Sequence, residues 1–152
     1  MLPFGFGLSF TTFEYKIVSA PAALVALAPA RAALAAGRPL AVAGTAAALA
    51  GYTVNVSNTG KVDADDVVLG FLKPPGAGVG GVPLQTLFDF QRVHVKAGQT
   101  VAVKLAPSLE DFTLADHHGG RFVAAGEYTI VFGVKEAAAQ GQGYAEHTLV
   151  TL

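Results

Sequence analysis

The sequence contains no cysteine and no tryptophan, and charged residues make up only 14% of its 152 positions. Without cysteine the chain forms neither disulfide bonds nor thiolate metal sites, and cysteine usage gives no information about redox compartment. The net charge is −1 and the pI is about 6.4. Proteins that bind nucleic acid or anionic membrane surfaces carry a basic patch, so neither is expected as a partner. The length suits one domain.

An apolar run long enough to span a membrane is also missing. The most apolar stretch, Ala20 to Ala36, contains Pro21, Pro29 and Arg31, whereas a spanning helix needs about 20 consecutive apolar residues. The first ten residues, MLPFGFGLSF, lack the basic and apolar regions of a signal peptide. We therefore expect no membrane-spanning helix and no signal peptide within these residues.

The sequence does have many short runs in which apolar and polar residues alternate, separated by glycine, proline and asparagine. Such runs are typical of β-strands and turns. They predict strands over residues 12–18, 52–57, 66–72, 88–95, 101–105, 122–123, 128–132 and 148–152. Seven or eight short strands at spacings of roughly 8–15 residues indicate a β-sandwich. Because the antibody-type pair of cysteines around a tryptophan is absent, the sandwich is expected to be of the fibronectin kind.

The apolar members of the alternating runs are expected to face the interior, where each contributes on the order of 1.5–3 kcal/mol when fully buried. The predicted interior residues are Phe13, Tyr15, Val54, Val56, Val67, Leu69, Phe90, Val101, Val103, Tyr128 and Ile130.

Two short helical segments are predicted between the strands. Residues 19–48 are rich in alanine, proline and glycine, and Pro29 to Ala36 fits a short helix that ends just before Gly37. A mobile, low-complexity loop is the alternative for this range. Ser108 and Asp111 have the spacing of a helix-capping box, which predicts one helical turn.

Four segments resemble, in the right order, one known family. The family 3 glycoside hydrolases, which are β-glucosidases and β-xylosidases, have a junction near their C-terminus that is similar to PFGFGLSFTTFEY (residues 3–15). The C-terminal fibronectin type III-like domain that follows is similar to VNVSNTGKVDADDVVLGFL (54–72), LFDFQRVHVKAGQTVAVKLAP (87–107) and GRFVAAGEYTIVFG (120–133). The PPG and LQTLFDFQRV segments are more similar to the plant-type β-xylosidase branch.

The resemblance implies a division of the chain into two parts. Residues 1–11 are expected to form a junction loop to a catalytic domain that this chain lacks. Residues 12–152 are expected to form an all-β, fibronectin type III-like (immunoglobulin-like) sandwich of seven to eight strands. Residues 19–48 have no counterpart in the resemblance and are interpreted as an Ala/Pro-rich insertion loop. Ala115 stands where the family often has a tryptophan.

No catalytic, metal or cofactor site is predicted in this chain. Retaining glycoside hydrolysis needs two carboxyl groups about 5–5.5 Å apart, and the resemblance implies that both lie in upstream domains. Asp63, Asp65 and Asp66 are interpreted as a solvated turn between strands. His117 and His118 are adjacent, which is not the spacing of a metal-binding pair, so an exposed loop is expected there.

Two kinds of surface site remain. Phe4, Phe6 and Phe10 lie in the junction loop and are hypothesised to pack against a catalytic domain; the alternative is that they plug one end of the sandwich. Asn55 begins an Asn-Val-Ser sequon, a weak indication of glycosylation if the protein is secreted.

The function expected from the resemblance is that of an accessory C-terminal module of a β-xylosidase or β-glucosidase, structural and not catalytic by itself. Its partners would be the catalytic domains, in the same chain or on another polypeptide, and possibly polysaccharide. Secretion or a cell-wall location would follow the family. The alternative is a free-standing adhesion or carbohydrate-binding module. Sugar-binding faces usually offer exposed aromatic side chains, and the absence of tryptophan together with only four tyrosines disfavours this alternative.

Overall fold

Two β-sheets packed face to face form the body of the protein. The computed structural model describes residues 5–22, 24–25, 27–37 and 51–151. In chain order the strands are β1 (Phe13–Ser19), β2 (Leu24–Val25), β3 (Tyr52–Asn58), β4 (Ala64–Lys73), β5 (Thr86–Val95), β6 (Thr100–Leu105), β7 (Thr113–Ala115), β8 (Arg121–Val123), β9 (Gly126–Gly133) and β10 (Tyr144–Thr151). The helices are α1 (Ala28–Ala35) and α2 (Lys135–Ala138), with a 3-10 turn at Leu109–Phe112.

The two sheets contain three and five strands. The three-stranded sheet has the order β1-β3-β6, and the five-stranded sheet has the order β2-β10-β9-β4-β5. Neighbouring strands are antiparallel except β2, which runs parallel to β10. β7 and β8 form a separate two-stranded ribbon. The prediction of an all-β sandwich of seven to eight strands is therefore confirmed for the described residues.

A buried tyrosine ties the ribbon region to the sandwich. The ring of Tyr128, on β9, is fully buried, and its hydroxyl donates to the carbonyl oxygens of Ala124 at 3.1 Å and Phe112 at 3.3 Å. Its ring centroid lies 5.1 Å from that of Phe112. A tyrosine hydroxyl bonded to backbone a few residues upstream is the tyrosine corner of immunoglobulin-like sandwiches.

Most of the predicted interior residues are buried. Phe13, Tyr15, Val54, Val56, Val103, Tyr128 and Ile130 are confirmed, and Val101 is partly buried against the same core. The predictions for β4 and β5 are wrong. Val67 is 44% exposed and Phe90 is 63% exposed, while Leu69 is half-buried.

The error on β5 has a local cause. The register between β4 and β5 shifts at Gly70 and Phe71, which pair with Asp89 and Leu87 and leave Phe88 as an extra residue on β5. An extra residue reverses which positions of a strand face the core. The inward residues of β5 beyond the bulge are consequently Val93 and Val95. On β4, which has no extra residue, both alternating sets contain apolar residues, and the inward set is the one with Val68.

The side chain of Phe88 nevertheless enters the sandwich. Its ring centroid lies 6.3 Å from that of Phe132. A Cβ atom on Gly70 would come within 2.6 Å of the Phe88 ring, so the glycine leaves the space that the ring occupies.

The acidic cluster is also placed differently from the prediction. Asp65 and Asp66 lie within β4 instead of in a turn before it. The capping box is confirmed, because the Ser108 backbone N–H donates to the Asp111 carboxylate at 2.7 Å.

The described part of residues 19–48 belongs to the folded body. β2 pairs with β10, and the helix predicted over residues 29–36 is confirmed as α1. Leu27, Ala30 and Ala33 are buried in the core. Residues 38–48 lie outside the described residues, and the interpretation of the whole range as an insertion stays a prediction. Among the described helices none is long and apolar enough to cross a membrane.

Two adjacent valines test the alternation on β4. We expect Val68→Ala to lower the free energy of unfolding by about 2 kcal/mol, because it removes buried methyl groups and leaves a cavity. Val67→Ala changes the same atoms on the exposed face and should cost about 0.5 kcal/mol or less. Urea denaturation of both variants measures the free energy of unfolding, and equal losses would contradict the observed inward orientation of Val68 and outward orientation of Val67.

Candidate docking surface at the junction segment

Residues 5–12, here called the junction segment, are held against the sandwich from their first residue. Gly5 has a φ of +84°, and a Cβ atom there would lie 2.5 Å from Cδ1 of Leu69, so glycine is required by both conformation and space. Two residues later, the side-chain amide of Gln142 donates to the carbonyl oxygen of Gly7. The start of the segment is thus fixed to β4 and to the loop before β10.

The end of the segment is fixed as firmly. The hydroxyl groups of Thr12 and Thr59 lie 2.7 Å apart, and the Thr59 backbone N–H donates to the Thr12 carbonyl oxygen at 2.8 Å. The Phe13 N–H donates to the Gly141 carbonyl oxygen at 2.7 Å. The segment is therefore bound at both ends to different parts of the sandwich.

The buried amide of Asn58 is the central polar group beneath the segment. Asn58 is 1% exposed. Its Oδ1 accepts from the Thr11 hydroxyl at 2.6 Å and from the Gly60 N–H at 3.1 Å. Its Nδ2 donates to the carbonyl oxygens of Val62 at 2.8 Å and Val95 at 2.9 Å. The amide thereby uses both donors and both acceptor positions.

The sequence reasoning missed this role of Asn58. The run Asn58-Thr59-Gly60 was interpretable only as a turn former, because two of the four partners, Thr11 and Val95, are separated from Asn58 by unrelated stretches of chain. The available signal was an asparagine at an inward position of an otherwise apolar alternation in β3, since a buried polar side chain must find hydrogen-bond partners.

A second polar link joins the two sheets next to the segment. The hydroxyl of Tyr15, on β1, donates to Oδ2 of Asp66, on β4, at 2.7 Å. Oδ1 of Asp66 accepts from the Val67 N–H at 2.9 Å. Burial raises the pKa of Asp66, an effect that the hydrogen bond from Tyr15 partly opposes. Burial and the neighbouring carboxylate raise the pKa of Tyr15, which is neutral.

The segment displays two large apolar side chains to solvent between its fixed ends. Phe10 is 99% exposed and Leu8 is 92% exposed. Phe6 is half-buried, and Phe4 lies outside the described residues. Of the three predicted packing residues, the structure therefore exposes Phe10 fully, and it adds Leu8, which the aromatic pattern did not indicate.

A cleft separates the segment from the sandwich. Its volume is about 430 Å³, and its lining includes Leu8, Ser9, Asp66, Val67 and Leu69. Asp65, at one side of the cleft, binds Arg92 and His94 on the neighbouring strand, each through an N···O contact of 2.6 Å. The hydrogen bonds from His94 and Arg92 lower the pKa of Asp65.

The two acidic residues of this region, Asp65 and Asp66, bind different side chains of the domain and do not act as one pair of carboxyl groups. Asp65 binds Arg92 and His94 on the exposed face of β4, and Asp66 accepts from Tyr15. Within the described residues no group of three or more potential metal ligands comes together. His117 and His118 lie exposed in the turn between β7 and β8, as predicted.

The sequon residue Asn55 lies on the outer face of the three-stranded sheet, in its central strand. It is half-buried there, between Lys16 and Ala102 of the neighbouring strands. Its glycosylation stays a prediction.

The chain matches known proteins. The model of the fibronectin type III-like domain matches residues 66–135. A probable exo-1,4-β-xylosidase of Aspergillus fumigatus is 37% identical over 147 residues, which cover 90% of this chain and 17% of that protein. The probable β-D-xylosidase 6 of Arabidopsis thaliana is 32% identical over 145 residues, covering 86% and 18%. Residues 66–135 of this chain belong to a fibronectin type III-like domain.

A solved structure agrees with these matches. The family 3 β-glucosidase of Bifidobacterium adolescentis superposes with a TM-score of 0.63 at 28% identity, covering 97% of this chain and 18% of that one. The domain corresponds to the C-terminal region of family 3 glycosidases. The chain spans less than a fifth of the length of the relatives it matches, 17–18% in the two xylosidases above.

Asn58 offers a direct test of what holds the domain and its junction segment together. Asn58→Ala leaves the Thr11 hydroxyl and the Val62 and Val95 carbonyl groups without their partner, and we expect a loss on the order of 3 kcal/mol in the free energy of unfolding. Asn55→Ala removes the same side chain from the outer face of the same strand and should change it by about 0.5 kcal/mol or less. Urea unfolding measures both, and similar losses would contradict the role given to Asn58.

The raised pKa of Asp66 predicts a pH dependence. The folded domain favours the protonated carboxyl group, so its contribution is fully present below the ordinary aspartate pKa and is lost as pH rises through the raised value. Asp66→Asn does not titrate, and its amide still bonds the Tyr15 oxygen and the Val67 N–H. We expect the variant to melt at a higher temperature than the original at pH 7, with the difference shrinking towards pH 3. A difference independent of pH would show that burial does not govern this carboxyl group.

Proposed function

We propose that this domain is the accessory module of a family 3 glycoside hydrolase that acts on β-xylosides, and that it stabilises the catalytic region by packing against it. The curated relatives quoted above are xylosidases, and the alignments extend over nearly the whole chain. In this proposal, the catalytic region that the module supports lies in the remaining length of such proteins.

The observation that carries the packing role is the junction segment. It is bound at both ends, yet Leu8 and Phe10 extend into solvent. Burying one such side chain contributes on the order of 1.5–3 kcal/mol. A rigid segment also loses little conformational entropy on association, so most of that contribution is retained in the complex. These properties are typical of anchor residues at a protein interface.

The arrangement of carboxyl groups supports a structural role over a chemical one. A retaining glycosidase needs a nucleophile and an acid/base on opposite sides of one bond. Asp65 and Asp66 are neighbours on a strand and bind different partners, namely the Arg92–His94 pair and Tyr15. The same interface would serve a catalytic region on the same polypeptide or one on a separate polypeptide.

The first test is the mass of the native protein in its source, detected with an antibody against this domain. We expect a species several times larger than 15.5 kDa that hydrolyses an aryl β-xyloside. A species of 15.5 kDa that purifies without any glycosidase would contradict the proposal, and millimolar or tighter binding of xylan by it would favour a carbohydrate-binding module instead.

The second test addresses the interface. In the native polypeptide, the double substitution Leu8→Ser and Phe10→Ser should lower the melting temperature and weaken resistance to protease, because the anchors no longer bury apolar area. The control Val18→Ser alters a residue that is 49% exposed on the three-stranded sheet. Equal effects of the double variant and the control would argue against packing through the junction segment.

A further inference from the structure

The outer faces of the two sheets differ in chemistry. On the three-stranded sheet the outward residues are mostly polar: Glu14, Lys16, Thr53, Asn55, Ser57, Thr100 and Lys104. On the five-stranded sheet, the corner formed by β4 and β5 presents Val67, Leu69, Leu87 and Phe90. A sandwich that is surrounded by water on all sides has no reason for this asymmetry.

The apolar residues of this corner form one surface. Leu69 and Phe90 are direct cross-strand partners, and Val67 is two residues from Leu69 on the same face. Phe90 is 63% exposed, Val67 is 44% exposed and Leu87 is 37% exposed. We call Val67, Leu87 and Phe90 the β4–β5 patch.

The patch is continuous with the junction segment. Leu8 of the segment and Val67 and Leu69 of β4 line the same cleft. The backbone of Gly5 packs directly against the Leu69 side chain. A partner that covers Leu8 therefore reaches Val67 of the β4–β5 patch across this cleft, whose lining also includes Asp65 and Asp66.

The charges beside the patch limit the chemistry of its occupant. Asp65, Arg92 and His94 lie on the same face and bind one another. Because the aspartate and the arginine largely neutralise each other, this rim does not select a strongly charged partner. An occupant with an apolar centre and a polar edge fits best, as in the interfaces between domains of one protein.

We propose that the β4–β5 patch is a second contact surface for the catalytic region that packs on the junction segment. This inference rests on the proposed function, and it adds a second element of the sandwich to the interface. The occupant is the polypeptide that makes up the other four fifths or more of the relatives, in which this region covers 17–18%. The interface then includes both a projecting segment and a sheet corner, which together fix the orientation of the domain.

Chemical footprinting tests the proposal on the protein itself. The 152-residue chain and the native polypeptide are each labelled with a photogenerated carbene, and the modification of single residues is read by mass spectrometry. We expect Phe90 and Val67 to be labelled in the chain and several-fold less in the native polypeptide. Phe122, 42% exposed on the β7–β8 ribbon, is the matched aromatic control and should be labelled equally in both.

The outcomes separate the two proposals. Protection of Leu8 and Phe10 with unchanged labelling of Phe90 would overturn the second contact surface and leave the accessory function intact. No protection at any of these residues, or a native species of only 15.5 kDa, would overturn both. If Phe90 is already protected in the isolated 152-residue chain and this chain sediments as a dimer, the patch is assigned to a second copy and the stated occupant is overturned.

Substitutions give an independent measurement. Phe90→Ser should leave the melting temperature of the 152-residue chain nearly unchanged, because the side chain is exposed there, and should lower that of the native polypeptide. Phe122→Ser is the control for both. An equal and small effect of the two substitutions in the native polypeptide would contradict the proposal.

Discussion

The side-chain amide of Asn58 is the interaction on which the rest of this domain depends. It lies where the end of β3, the end of β5 and the junction segment meet, and all four of its hydrogen-bonding positions are used. Leaving a buried amide without hydrogen-bond partners costs more free energy than its hydrogen bonds contribute. The three chain segments must therefore all be in place in the folded domain. The Thr11 hydroxyl is hydrogen-bonded to this amide, and that bond fixes the position from which the preceding residue, Phe10, extends into solvent.

The sandwich is organised around a difference between its two outer faces. The three-stranded sheet faces solvent with threonine, serine, lysine and glutamate side chains, whereas the β4–β5 corner and the junction segment present valine, leucine and phenylalanine. Tyr15 and Asp66 join the sheets beside this apolar side, and they do so with a carboxyl group whose pKa burial raises. Two polar links of the fold, at Asn58 and at Asp66, thus lie beneath the surface that is available for a partner.

Much of this architecture could be predicted from the sequence, because alternation and turn residues act locally. The strands around Val54, Val103 and Ile130, the helix before Gly37 and the capping box at Ser108 all follow from patterns of a few residues. The prediction failed for the side-chain orientation on β4, where both alternating sets contain apolar residues, and on β5, where one extra residue at Phe88 reverses the alternation. Its accommodation depends on Gly70 on the neighbouring strand, and such a long-range fit leaves no periodic signal. The partners of Asn58 were hidden for the same reason.

That failure bears directly on function. Val67 and Phe90 lie on the outer face of the sheet, and Val67 lines the cleft together with Leu8. On β5 the extra residue admits the Phe88 ring to the core through the space at Gly70 and leaves Phe90 on the outer face. On β4, where no residue is added, both alternating sets contain apolar residues, so one set buries Val68 while the other exposes Val67. The two features that make the orientation of these side chains hard to deduce from alternation are the same ones that give the domain its apolar side.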